Sequence, residues 1–339
     1  MTPTRLYPLT FVPVFKERVW GGSLLSEALG KELPSPDAII GESWELVDLP
    51  DDQSRVAAGP LRGTSLHELV EAYPDELLGG VRLDGERFPL LVKYIDASQT
   101  LSVQVHPDAA AAAPLGGRPK SEAWYILDAA PEAVLYLGLK PGTTREALRR
   151  ALEGGEDVAG LVNMVPVRPG DLFPVPPGTV HAIGAGILLA EVQQPSDTTY
   201  RVYDWGRVGL DGQPRQLHVD QALSSIHFDA RPDGPRREGQ VDMDLFHIEL
   251  VTLAGGATQE LSGPGPAVLV GLAGRGRVVC GPDSIDCEKG SVVLVPHAAR
   301  GASELEAVGE KSMRSLLVTF PPEEDPPLPA RRSVAAEGG

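Results

Sequence analysis

Between residues 88 and 139 the apolar positions come in short dense runs, in neither a helical nor a strictly alternating rhythm. Leu90, Leu91, Val92, Tyr94 and Ile95 form one run, and Leu101 to Val105, Ala123 to Leu127 and Val134 to Leu139 follow. Runs of this length, rich in β-branched and aromatic residues and separated by turn formers, predict strands of an antiparallel β architecture. Gly170 to Val175 and Ile187 to Gln193 resume the series, and Ser43 to Asp48 reads as an earlier strand. The pattern is interrupted from Thr143-Thr144 to Leu152, with Leu161 and Val162 beyond, where the spacing becomes helical; this predicts a helical insertion over about residues 141–165. Ser65 before Leu66, Leu69, Val70 and Tyr73 has the cap and spacing of a helix ending near Pro74. Asp108 with its following alanines and the stretch Asp220 to Ile226 predict two further helices. Up to about Ile39 the chain reads as irregular, apart from a short helix between Gly22 and Leu29.

Beyond Ile226 the texture changes. Asp229 to Gly239 is charged and rich in Pro and Gly, as expected of a domain boundary. Only strand-like runs follow it: Phe246 to Leu253, Ala267 to Leu272, Arg277 to Cys280, Ser291 to Val295 and Ser315 to Phe320. The organisation this predicts is a first domain over 1–230, a linker over 231–240, a small all-β domain over 241–322 and a loosely ordered Pro- and Glu-rich tail over 323–339.

Composition narrows the function. With a net charge of -17, the chain repels nucleic acid and anionic membrane surfaces, so neither is expected as a partner, and an anionic substrate would need a local basic pocket. The absence of a membrane-length apolar run and of a secretory leader pattern makes the cytoplasm the expected address. Cys280 and Cys287 could face each other across a hairpin, but in that compartment they are expected as free thiols.

Gly170 to His181 reads G-x5-P-x-G-x2-H: a strand, a turn enforced by Pro176 and Gly178, and a histidine thrown onto the inner face of the next strand. This resembles the second signature motif of the cupin superfamily. Gly290 to Pro296 repeats G-x5-P, but His297 follows the proline directly and Gly301 stands where His181 would be, so the second copy keeps the scaffold without the ligand. On spacing alone His297 is a surface turn residue. Gln104 and His106, two apart in a strand, share a face. Lys120, Glu122, Trp124 and Ile126 share another, polar at one end and apolar at the other. Gln104, His106, Glu122 and His181 would together offer two imidazole nitrogens, a carboxylate and an amide oxygen, a set suited to Zn²⁺ and tolerable for Mn²⁺ or Fe²⁺.

Leu101-Ser-Val-Gln-Val-His-Pro-Asp, Lys120-Ser-Glu-Ala-Trp-Tyr, Pro176-Pro-Gly-Thr-Val-His-Ala and Glu191 to Arg207, in this order, resemble the type I phosphomannose isomerases in their short bacterial form. Arg18-Val-Trp20-Gly-Gly and Gly41-Glu42-Ser-Trp44 extend the similarity over about Phe15 to Gly209. The resemblance implies two cupin-like β-barrel (jelly-roll) domains, mainly β, and one Zn²⁺ held by Gln104, His106, Glu122 and His181. It also implies interconversion of mannose 6-phosphate and fructose 6-phosphate through an enediolate. It places Arg201 near the reacting carbons and Lys120 beside the glutamate ligand; Ser102, Lys93, Glu191, Asp197, Trp20 and Glu42 match other pocket positions. Ile183 departs from the tyrosine of longer members, and Arg207 stands where some relatives have lysine. Either Glu191 or Lys120 could shuttle the proton, and Ser102, Lys120 and Arg207 could receive a phosphate. Two other functions share these residues: a cupin oxygenase holding Fe²⁺, and a sugar-phosphate-binding module without catalysis.

Overall fold

Strands with apolar side chains on both faces need a layer on each side, and the chain supplies both. The computed structural model describes residues 5–321 except 36, 82, 84 and 155–157. It is mainly β. A six-stranded sheet runs in the order Leu172–Val175, Glu122–Ala129, Ile187–Gln193, Leu91–Ala97, Ile40–Leu46, Val14–Gly22. A five-stranded sheet runs Tyr200–Tyr203, Val103–Val105, His181–Ile183, Val134–Leu139, Val162–Pro166. Every pairing within both is antiparallel. Ile95, Trp124, Ile126 and Leu189 of the first sheet pack with Leu135, Leu137 and Ile183 of the second, closing one end of the space between them with apolar side chains.

The other face of the six-stranded sheet is also covered. Val92, Tyr94, Ala123, Ala190 and Val192 pack with Ile248, Val268, Val270, Leu316 and Val318, which belong to a sheet ordered Gln240–Asp242, His247–Leu253, Met313–Thr319, Ala267–Ala273, Val292–Val295. A four-stranded sheet, Thr258–Glu260, Ser303–Ala307, Arg275–Cys280 and Asp283–Glu288, closes the far side around Leu269, Val278 and Leu305. Leu91–Ala97 therefore alternates between two buried layers, which is why its apolar run has no exposed phase. Full burial of each such side chain contributes about 1.5–3 kcal/mol relative to exposure.

Several expectations change. Val14–Gly22, expected to be irregular, is an edge strand; its charged middle and paired glycines hide any period of two. The short helix is confined to Leu24–Glu27. Val162, expected in the helical insertion, opens a strand paired with Val134–Leu139, while the helix itself runs Arg145–Gly154. The capped helix is present as Leu66–Ala72, with Ser65 and Glu68 forming a reciprocal capping box. Within the expected linker, Arg236 exchanges both backbone hydrogen bonds with Leu172 at 2.8 Å and Arg237 pairs with the buried Asp171 at 2.6 Å. Cys287 pairs across its hairpin with Gly276 and Cys280 with Asp283, so the two thiols do not oppose each other; both are free and buried. His297 is no surface turn residue: it begins the short helix His297–Arg300, and its ring covers Gly79. The tail over 323–339 lies outside the described residues. Among the described residues no helix is long and apolar enough to cross a membrane.

Candidate active site and metal centre

Antiparallel register sets out two rows of polar side chains that face each other. On the five-stranded sheet Arg201, Gln104 and His181 lie side by side on adjacent strands. On the six-stranded sheet Trp124, Glu191, Lys93 and Trp44 form one row, and Glu122 pairs with Gln193 in the next. The gap between the rows is a cavity of about 630 Å³.

Behind the Gln104 and Lys120 that line it, and not themselves in its lining, His106, Glu122 and His181 are each 1% exposed, and their ligand atoms lie within 4.8 Å of one another. His106 Nε2 is 3.4 Å from Glu122 Oε2, and His181 Nε2 is 3.3 Å from Glu122 Oε1. Each imidazole is turned by its other nitrogen: Nδ1 of His106 meets the Thr198 carbonyl and Nδ1 of His181 the Thr179 carbonyl, both at 2.9 Å. Both Nε2 lone pairs are thereby presented to the same point, as in metal centres with oriented histidines. Glu122 is buried with its two oxygens turned to the two imidazole Nε2 atoms and Lys120 at 2.6 Å. Donors bound at ~2.0–2.1 Å in a tetrahedral zinc site lie ~3.3 Å apart, so the residues present fit such an ion. Gln104 reaches the same point with its amide nitrogen 3.2 Å from His181 Nε2, and turning the amide over presents its oxygen instead.

Lys120 bridges this cluster to the sugar-sized part of the cavity. Its ammonium is 2.6 Å from Glu122 Oε2, 3.1 Å from His106 Nε2 and 3.3 Å from Glu191 Oε1. Burial works against its charge, but Glu122 and Glu191 outweigh burial and hold the pKa above the usual lysine range. Burial, and then the Lys120 charge, lower His106 to about 4, keeping the ring neutral and able to act as a ligand. Burial alone would raise Glu122; Lys120, His106 and His181 pull it well below the carboxylate range. Lys93 sits between Glu191 at 3.1 Å and Glu42 at 3.6 Å.

Glu42 also accepts from Arg18 Nε at 2.8 Å and from the Trp44 indole at 2.7 Å. Although burial opposes it, Lys93 and Arg18 depress its pKa from 4.5 to about 2. This pairing stabilises the fold fully above pH 4.5 and is lost as the pH falls toward 2. Acid unfolding of the native protein should therefore contain roughly 3 kcal/mol of pH dependence in that window that Glu42→Gln lacks, read from denaturant melts at stepped pH. Parallel curves for the two proteins would contradict the assignment.

Two further arginines and Asp204 gather around Arg201, which neighbours Gln104 in the sheet. Arg215 donates to Asp204 Oδ2 at 2.7 Å and Arg207 to Asp204 Oδ1 at 3.0 Å, so two guanidiniums share one carboxylate. Arg201 adds a third cation, with one terminal nitrogen 2.9 Å from the Gln216 carbonyl and Nε buried without a partner among the described residues. Burial, and then Arg215 and Arg207, lower its pKa. Trp20, Glu42, Lys93, Ser102, Gln104, Lys120, Glu191, Asp197 and Arg201, all singled out from sequence, line the cavity. Arg207 does not; its other arm is held by the Thr100 carbonyl at 2.7 Å. Arg215 lines the cavity and was missed, since it lies outside the recognised motifs. Gln193 and Trp44 were missed too, although strand alternation places them on the faces of Glu191 and Glu42.

Residues 9–135 match the family model of the phosphomannose isomerase type I catalytic domain. Mannose-6-phosphate isomerase ManA of Bacillus subtilis is 39% identical over 315 residues, which is 89% of this chain and 97% of the relative. The chain belongs to the type I phosphomannose isomerase family. It is accordingly an enzyme, an isomerase of carbohydrate metabolism. The mannose-6-phosphate isomerase of Streptococcus mutans is 35% identical over 86% of this chain and 93% of its own length. The crystal structure of the mannose 6-phosphate isomerase from Bacillus subtilis superposes with a TM-score of 0.80 at 30% identity, covering 93% of this chain and all of that one. A putative mannosephosphate isomerase from Archaeoglobus fulgidus shares the fold, with a TM-score of 0.76 at 23% identity over 94% of this chain and 99% of that one. A cupin-like fold accords with these phosphomannose isomerase neighbours.

Proposed function

We propose that this isomerase interconverts mannose 6-phosphate and fructose 6-phosphate in the cytoplasm, with one Zn²⁺ held by Gln104, His106, Glu122 and His181. The observation that carries the reading is the buried convergence of two oriented imidazoles on one carboxylate, beside a cavity lined by Lys93, Lys120, Arg201 and Arg215. The substrate follows from the names of the curated relatives, and the charges support it. Lys93 and Lys120 are matched by Glu42, Glu122 and Glu191, whereas Arg201, Arg207 and Arg215 have one paired carboxylate between them. The phosphate accordingly sits against Arg215, while Arg201, beside Gln104 in the register, faces the sugar carbonyl end together with Lys120. Arg215 takes the part expected of Arg207, which braces it through Asp204.

A bound zinc ion would act there as a Lewis acid toward the sugar oxygens. Lys120, kept protonated by its two glutamates, donates hydrogen bonds and positive charge to the oxygens that become enediolate-like. Of the two candidate bases, Glu191 is then the one able to accept the C2 proton and return it to C1. Its carboxylate is fixed between Lys93 and Lys120, and both steps occur on one face of the substrate. The architecture is read as a cupin-like jelly roll over 1–230 with a helical insertion near 141–165, a linker over 231–240 and a metal-free cupin-like unit over 241–322.

Metal analysis joined to a coupled isomerase assay tests this. About one zinc per chain is expected, with turnover lost on chelation and recovered with Zn²⁺. Turnover that survives complete metal removal overturns the proposal.

A further inference from the structure

His106 and His181 both sit where the chain leaves the five-stranded sheet: His106 one residue beyond Val103–Val105, His181 at the first position of His181–Ile183. Pairing with Gln104 and Leu137 holds His181 in the ladder, whereas His106 lies outside it. A ring of contacts beneath the sheet joins the two segments. The Gly178 N–H donates to the His106 carbonyl at 2.8 Å, and Thr179, next in the chain, supplies the carbonyl that turns His181. Gly178 is left-handed at φ 79°, and the imidazole of His227 fills the space where any side chain at that position would lie. The backbone N–H of His227 donates to the Gly178 carbonyl at 3.0 Å, and the side chain adds the contact to Asp108. Its Nε2 meets Asp108 Oδ2 at 2.9 Å, two residues past His106, and the other Asp108 oxygen caps the helix Ala109–Leu115 through Ala111 N–H at 2.8 Å.

We propose that His227 is a positioning residue for the metal site, clamping the segment after His106 to the turn before His181 so that the two imidazole ligands keep their separation. His227 lines a different groove, with Pro176, Pro177 and Thr179, and stands outside the catalytic cavity. It acts only through the two ligand-bearing segments. The inference rests on the metal site proposed above. Its role differs from core packing because the side chain is 50% exposed, so its removal leaves no cavity in the apolar layers.

The test is the Zn²⁺ dissociation constant of the metal-stripped full chain, measured by competition with a chromophoric chelator, alongside the melting temperature of the same stripped protein. Loss of a group that orients a metal ligand typically weakens binding about 10–100-fold, and His227→Ala is expected in that range with little change in melting of the stripped protein. His227→Gln, whose amide can still donate to Asp108, should recover part of the loss. Asp108→Ser, which keeps a helix-capping oxygen and removes the second one, should weaken zinc as His227→Ala does, and gives the answer if His227→Ala does not fold. A remote imidazole-carboxylate pair, His247 with Asp242 at 2.7 Å, provides the control: His247→Ala should bind zinc within about twofold of native. Native-like zinc affinity in a folded His227→Ala or Asp108→Ser, or an equal loss in His247→Ala, overturns the inference while leaving the metal site intact. If the native chain itself binds no zinc, the proposed metal site fails first.

Discussion

Glu122→Gln is expected to lower isomerase turnover by at least ~100-fold. The substitution keeps shape and removes the only anion from the proposed ligand set, leaving neutral donors beside the Lys120 ammonium, which then repels a divalent ion. A metal acting as a Lewis acid supplies several kcal/mol of transition-state stabilisation, and each ~1.4 kcal/mol is tenfold in rate. Lys120 keeps Glu191 at 3.3 Å, so the fold should lose less than the ~3–5 kcal/mol expected when a buried charge is left wholly unpaired. The coupled assay, bound-metal content and a denaturant melt read all three effects. Native turnover in Glu122→Gln would remove the metal from the mechanism.

Arg201→Ala is expected to lower kcat/KM by ~10²–10³, the range for loss of a preorganised cationic or hydrogen-bonding group at a developing charge. Its guanidinium lines the cavity, sits beside Gln104 in the register and keeps a buried N–H without a partner among the described residues. A ligand oxygen can satisfy that N–H. Arg201→Lys should recover little, because an ammonium cannot reproduce the planar fork. Arg207→Ala should have a smaller effect, reaching the cavity only through Asp204 and Arg215. Steady-state kinetics on the three variants decide it; equal losses for Arg201→Ala and Arg207→Ala would contradict the assignment of roles.

The parts of this molecule legible in sequence were those governed by local rules. The dense apolar runs marked the central strands because each is buried on both faces, and Ser65 with Glu68 marked a helix start through its capping box. Gln104, His106, Glu122 and His181 could be gathered because strand alternation and the G-x5-P turn fix where they point. What sequence left hidden depends on distant partners. Val14–Gly22 becomes a strand only by pairing with Ile40–Leu46. Arg207 and Arg215 are of like charge and close in sequence, and only the position of Asp204 and the Thr100 carbonyl decides which of them reaches the cavity. The half-buried seat of His297 against Gly79 likewise depends on a distant partner.

The double-sided burial of Leu91–Ala97 ties mutational tolerance in one half of the chain to the other. Lys93 points into the cavity, while its neighbours Val92 and Tyr94 are seated among side chains from beyond residue 240. Drift at Val268, Val270 or Leu316 would be felt as a tilt of the lysine one residue away, so the sheets beyond residue 240 constrain the sequence of the strand that carries Lys93. Separated from its companion, the N-terminal half would present that apolar face to water and is expected to aggregate before it could be assayed.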